Sequence, residues 1–100
     1  LYDATKAGIV SLTKSLAVSH AGDGIRANAV CPGFTVTDFH TRKALAEGRS
    51  VEELKRSKVG LLQRPADAAE IAAAVYFLAS DEASFITGQA LMVDGGLSVG

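Results

Sequence analysis

At 100 residues the chain is one domain at most, and a domain of that size buries a smaller share of its surface than a larger one does. Hydrophobic residues at 48% against 21% charged exclude a disordered tail, and a formal net charge of -1 gives no electrostatic ground for nucleic acid or an anionic membrane as the main partner. Cys31 is the only cysteine, which excludes an internal disulfide, and no His/Cys cluster has zinc-ligand spacing, so a reducing, cytoplasmic setting and no metal are the expectation.

No apolar run reaches membrane-spanning length. The chain opens Leu1-Tyr2-Asp3 with neither an initiator Met nor a signal-peptide pattern, so the true N-terminus is expected elsewhere. From residue 3 to about 20, Ile9, Leu12 and Leu16 recur three and four apart with small Ala4, Ala7 and Gly8 nearby, which predicts a helix with a packing stripe. Ala21-Gly22-Asp23-Gly24 breaks it. Residues 25–31 are short and largely apolar and are closed by Pro32-Gly33, the profile of a buried parallel strand that stops at the proline.

Residues 34–60 are more polar. Within them Ser50 and Glu53 have capping-box spacing and mark a short second helix. Asp67 and Glu70 repeat that spacing ahead of a third helix with Ile71, Val75 and Leu78 on one face. A loop containing Gly88 then leads into a second buried strand over Ala90–Val93, stopped by Asp94-Gly95-Gly96. Helix, strand, helices, strand is half of a layered α/β sandwich. Parallel strands need helices on both faces and further strands beside them, so a missing half and an unpaired strand edge are inferred.

Tyr2 and Lys6 stand four apart at the head of the first helix, a spacing that puts both on one helical face. A phenol titrates near about 10 in water and is a poor acid-base group at neutral pH unless its anion is stabilised. A neighbouring ammonium does that, and burial opposes it, so the pair works only where attraction exceeds desolvation.

Tyr2-Asp3-Ala4-Thr5-Lys6 resembles the Tyr-x-x-x-Lys signature of the short-chain dehydrogenases/reductases. Residues 25–33, Ile-Arg-Ala-Asn-Ala-Val-Cys-Pro-Gly, are similar to that family's sixth strand with its Pro-Gly turn. Residues 34–37 resemble the segment that contacts nicotinamide, 75–81 the last helix, and 86–96 the final strand. The likeness spans essentially the whole chain. Thr5 stands where serine is common, and Thr35 where a branched apolar residue is usual.

The resemblance implies the C-terminal half of a doubly wound parallel-sheet (Rossmann-type) α/β domain, filled by residues 1–100, with a substrate lid at 38–60. It implies hydride transfer between NAD or NADP and a small-molecule carbonyl or secondary alcohol. Tyr2 would be the general acid/base, and Lys6 would lower the Tyr2 pKa and hydrogen-bond the nicotinamide ribose. Pro32 and Gly33 would form the turn beneath the nicotinamide, Thr35 would meet the carboxamide through its backbone and Thr37 through its hydroxyl. Capping of a local loop is the ordinary alternative for Thr35 and Thr37. A homotetramer or dimer is implied, with the first and last long helices at the contacts. The glycine-rich pyrophosphate turn, the residue that chooses between NAD and NADP, and the family's catalytic Ser and supporting Asn are absent from these residues, so the active site here is incomplete.

Other residues have plainer readings. His20 falls at a helix end where a cation is favoured, His40 lies in the lid, within reach of substrate or, more plainly, as an exposed loop histidine, and Cys31 reads as a small hydrophobe in a strand. Ser11, Ser15 and Ser19 repeat at helical spacing with no paired His and Asp, which reads as a polar or close-packing face. Six cations between 42 and 58 face three glutamates, which suits either a solvated face or attraction of an anionic substrate such as an acyl group on a phosphorylated carrier. Two rival functions stay open: an epimerase or dehydratase that retains its nicotinamide on the same scaffold, and a non-catalytic oligomerisation partner.

Overall fold

A computed structural model describes residues 2–99 of the chain, with side chains from residue 4 onward. In chain order the elements are α1 (Tyr2–His20), a 3-10 turn (Ala21–Asp23), β1 (Ala29–Pro32), β2 (Thr35–Val36), α2 (Asp38–Ala46), α3 (Val51–Lys55), β3 (Ala66–Asp67), α4 (Ala68–Ala79), a second 3-10 turn (Asp81–Ala83) and β4 (Ala90–Val93). They group into two compact units, one of Leu1–Cys31 with Val75–Leu91, the other of Pro32–Ala74 with Met92–Gly100.

In the first unit α1 runs the predicted length and is stopped as expected. Gly24 takes φ 73° and donates its N–H to Ala21 O at 3.2 Å, while Ile25 N–H reaches back to His20 O at 3.3 Å. That pair of bonds satisfies the last helical carbonyls, and only a residue free to adopt the left-handed region closes it without strain. His20 Nδ1 lies 3.2 Å from Asp23 Oδ2, so the helix-end histidine has an acidic partner. The predicted packing stripe is corrected. Among the described residues of α1, Ala17 is buried, where Gly88 comes so near that a Cβ there would lie 3.5 Å from the Ala17 Cβ, whereas Ile9, Leu12 and Leu16 are exposed. Leu12 retains 59% of its surface, because none of the described residues covers that face.

The expected strand over 25–31 is also shorter and later than the apolar run suggests, starting only at Ala29. The preceding residues satisfy their polar groups through a mixture of one backbone bond, Gly88 N–H to Ala27 O at 2.7 Å, and side-chain bonds. Ala27 N–H donates to Thr87 Oγ1 at 3.1 Å, Asn28 Nδ2 donates to Ile86 O at 3.0 Å, and Asn28 Oδ1 accepts Gln89 N–H at 3.0 Å. Arg26 does more. Its Nη1 donates to Leu78 O at 2.8 Å and Ile86 O at 3.1 Å, and its Nη2 to Ser80 O at 3.1 Å, so one guanidinium closes the carboxyl end of α4 and ties it to the following loop.

β1 pairs with β4. Ala29 N–H donates to Gln89 O at 2.8 Å and Gly33 N–H to Val93 O at 3.0 Å, both partners advancing in the same direction, so the strands run parallel. β4 occupies the predicted residues. In the second unit β2 pairs parallel with β3, Thr35 against Ala66 and Val36 against Asp67, a pairing too short to show as an apolar run. The Ser50 hydroxyl caps α3 by accepting Glu53 N–H at 3.2 Å, a bond of about 1 kcal/mol in such positions. Glu70 reaches back to Asp67 N–H at 3.1 Å at the start of α4, as the capping box predicts. Among the described residues each sheet has two strands, no helix is long and apolar enough to cross a membrane, and no group of three metal-ligating side chains is found.

Candidate functional site

The chain leaves β1 through Pro32, which has no N–H to continue a ladder, and turns at Gly33. The turn demands glycine for a reason the sequence does not display. A Cβ on Gly33 would lie 2.7 Å from the Asp94 Cα and 2.8 Å from the Asp94 Cβ, an impossible approach to another stretch of backbone. The exit of β4 therefore fixes this residue, whatever ligand also comes near it. Asp94 is pinned in turn: Oδ1 accepts Gly96 N–H at 3.0 Å and Oδ2 accepts Ser98 N–H at 3.1 Å. Hydrogen bonding from Ser98, with help from the Gly96 amide, holds its carboxyl below the usual carboxylate range.

Beyond the turn, Thr35 donates its hydroxyl to Gly33 O at 3.0 Å, which spends the side-chain proton locally and leaves the backbone to meet any ligand. Thr37 is the N-cap of α2, in extended conformation at φ -121° and ψ 172°. Its hydroxyl accepts the His40 N–H at a long 3.5 Å and lies 2.8 Å from His40 Nδ1. Helix α2 was missed in the polar 34–60 stretch because its start signal, Thr37 followed by Asp38, has no glutamate three residues on. His40 is accordingly no exposed loop residue. It is half-buried in the first turn of α2, edge-on to Phe34 at 5.3 Å and to Phe39 at 5.6 Å between ring centres.

Gly33, Thr35 and Thr37 thus come together in the second unit as a turn and a short segment, and residues 32–37 carry no charge. Uncharged backbone with the Thr37 hydroxyl, already in contact with His40, is the kind of lining that suits a flat, uncharged carboxamide. The residues present fit a nicotinamide. In the first unit Lys6 is half-buried on α1, one helical turn from Tyr2 along the backbone. The Tyr2 side chain lies outside the described residues.

A cavity of about 210 Å³ also opens in the second unit, lined by Phe34, Leu62, Arg64, Glu70, Met92 and Asp94 among others. Arg64 grips Glu70 with two bonds, Nη1 to Oε1 at 2.8 Å and Nη2 to Oε2 at 2.9 Å. That contact, followed by the Asp67 amide, holds the Glu70 carboxyl down to about 2. Neither Arg64 nor Asp94 stood out in the sequence. The Asp94-Gly95-Gly96 run was the available signal, and it read as a strand stop.

The family described as enoyl-(acyl carrier protein) reductase matches residues 1–98. A 3-oxoacyl-[acyl-carrier-protein] reductase, FabG of Salmonella typhimurium, is 47% identical over 96 residues, covering 96% of this chain and 37% of its own. Among solved structures, a short chain dehydrogenase family protein from Francisella tularensis subsp. tularensis superposes with TM-score 0.83 at 38% identity, over 99% of this chain and 43% of that one. ElxO with NADP bound does so with TM-score 0.84 at 33% identity, over 99% of this chain and 39% of that one. The chain spans little more than a third of the curated relatives it matches. Both the matched family and the superposed parallel α/β structures lead to one assignment: the chain belongs to the short-chain dehydrogenase/reductase family.

Proposed function

We propose that this chain is the acid-base and nicotinamide-facing part of an oxidoreductase that moves hydride between NAD or NADP and a small-molecule carbonyl or secondary alcohol. The observation that carries the reading is Tyr2 and Lys6 one turn apart on α1 in a chain whose whole length matches this family. A structural neighbour with NADP bound supports the cofactor class. The cofactor supplies or takes up hydride at the reacting carbon. Tyr2 gives a proton to the carbonyl oxygen in reduction and takes one from the alcohol in oxidation. Lys6, a three-donor ammonium, favours the phenolate and hydrogen-bonds the ribose. Pro32 and Gly33 shape the turn under the nicotinamide, the Thr35 backbone and the Thr37 hydroxyl hold the carboxamide, and helices α2 and α3 form the lid over 38–60. The exposed faces of α1 and α4, with Leu12 at 59% and Tyr76 at 78%, support subunit contacts in a dimer or tetramer. In the cell we place the protein in the cytoplasm, on its single cysteine.

The test is nicotinamide absorbance with the full-length protein and a panel of ketones. A reductase oxidises the reduced cofactor only when ketone is added. No cofactor binding at all would leave a non-catalytic scaffold, and turnover of substrate with no net absorbance change would mark a retained-nicotinamide epimerase or dehydratase.

A further inference from the structure

Thr37 is assigned above to the carboxamide, yet its hydroxyl has one proton and two lone pairs, and His40 engages both kinds. The backbone N–H of His40 takes a lone pair at 3.5 Å, and Nδ1 sits at the shorter distance of 2.8 Å. Two arrangements are open to the neutral ring. With the proton on Nδ1, the ring donates to Thr37, both lone pairs are filled, and the hydroxyl proton needs an acceptor that no described residue supplies. With the proton on Nε2, the hydroxyl donates to Nδ1, one lone pair remains free, and Nε2–H has no partner among the described residues and is left to solvent, which a half-buried ring can reach. The second arrangement pairs the hydroxyl proton within the protein and leaves only Nε2–H to solvent and one Thr37 lone pair for a ligand, and the partner of one ring nitrogen decides the proton on the other. The rings of Phe34 and Phe39, edge-on at 5.3 and 5.6 Å, hold the imidazole so that Nδ1 stays aimed at the hydroxyl.

We propose that His40 is a positioning residue which fixes Thr37 as a hydrogen-bond acceptor, so that this position takes a carboxamide –NH2 and selects cofactors that have one. The inference rests on the nicotinamide reading of Thr37 and deepens it. His40 touches neither substrate nor cofactor. It acts by removing the option of donation, which a freely rotating threonine would keep. A ligand with a methyl ketone in place of the carboxamide presents a methyl there, which has no N–H to give, so the Thr37 lone pair is left without its bond.

The experiment measures dissociation constants of the full-length protein for the reduced dinucleotide and for its acetylpyridine analogue, in which methyl replaces the amide nitrogen, by fluorescence titration without substrate. The wild type is expected to favour the carboxamide by roughly fivefold or more, the size of one net hydrogen bond. His40→Leu frees the hydroxyl to donate to either carbonyl and brings the ratio toward one, and Thr37→Val does the same by removing the hydroxyl. His40→Gln keeps a carbonyl acceptor in reach and retains the preference, which a merely structural role for the ring would not explain. A wild-type preference left unchanged in His40→Leu overturns the inference while leaving the nicotinamide site standing. Failure of the wild type to bind either dinucleotide overturns the functional reading itself and this inference with it. Should His40→Leu not fold, loss of the preference in His40→Gln overturns the proposal and its retention there, with loss in Thr37→Val, upholds it.

Discussion

Arg64 and Glu70 meet fork to fork, with both guanidinium-to-carboxylate bonds under 3 Å, at the point where β3 hands over to α4. The same carboxylate accepts the Asp67 amide, so it fastens a loop and a helix start together. Its pKa falls from an ordinary 4.5 to about 2. A depressed carboxyl contributes stability that is fully present above its unfolded value and is lost as pH falls through its folded one. The unfolding midpoints of wild type and Glu70→Gln should therefore differ at pH 6 and converge between about pH 4.5 and 2, the window those two values set. A gap that persists to pH 2 contradicts the ion pair's role.

Gly33 and Gly8 make opposite predictions for the same substitution. Gly33→Ala drives a methyl into the Asp94 backbone, which cannot swing aside like a side chain, and should destabilise by about 1–3 kcal/mol while loosening the turn. Gly8 is exposed inside α1 with nothing within 4 Å of a Cβ, so Gly8→Ala should stabilise by up to about 1 kcal/mol. Urea unfolding of the two variants reads both signs at once. Equal effects would mean that Gly33 is ordinary loop.

Arg26 satisfies three carbonyls with one charged head. Arg26→Leu should cost about 2 kcal/mol or more, since hydrogen bonds from a charged group contribute more than neutral ones and the abandoned carbonyls are part-buried. Arg26→Lys should recover only part of that, because an ammonium cannot reproduce the planar fork. Full recovery by lysine in urea titrations would count against the geometry described.

How legible this was depended on the scale of the signal. Helix α1, the Gly24 stop, the Ser50 and Glu70 caps and strand β4 each carry a local chemical instruction within four residues and stand where the sequence places them, although Leu91 and Met92 of β4 are exposed and not buried as expected. Strand β1 begins later than its apolar run because Ala27 and Asn28 bond to side chains and carbonyls some sixty positions away, which no local window contains. Helix α2 hides because its cap is a threonine in a polar stretch. Ile9, Leu12 and Leu16 have the spacing of a packing face, but all three are exposed, because spacing within one helix does not say what lies against it. For the candidate site, Pro32 and Gly33 were legible as a turn. The pressure of Asp94 on Gly33, the grip of Arg64 on Glu70 and the claim of His40 on Thr37 are all contacts made by folding.

Exposed apolar faces give a further expectation. Leu12→Glu and Tyr76→Glu, one on α1 and one on α4, should shift the full-length protein to a smaller species in sedimentation velocity if these faces are subunit contacts. An unchanged sedimentation coefficient for both variants would mean that other parts of the full chain cover them.

The most direct test of the central claim is Tyr2→Phe in the full-length protein, with cofactor affinity and turnover of a ketone substrate measured on the same sample. Removing the hydroxyl proposed to exchange the proton should lower turnover by roughly a hundredfold to ten-thousandfold while the dissociation constant of the dinucleotide stays within about twofold. Wild-type turnover in Tyr2→Phe would contradict the account.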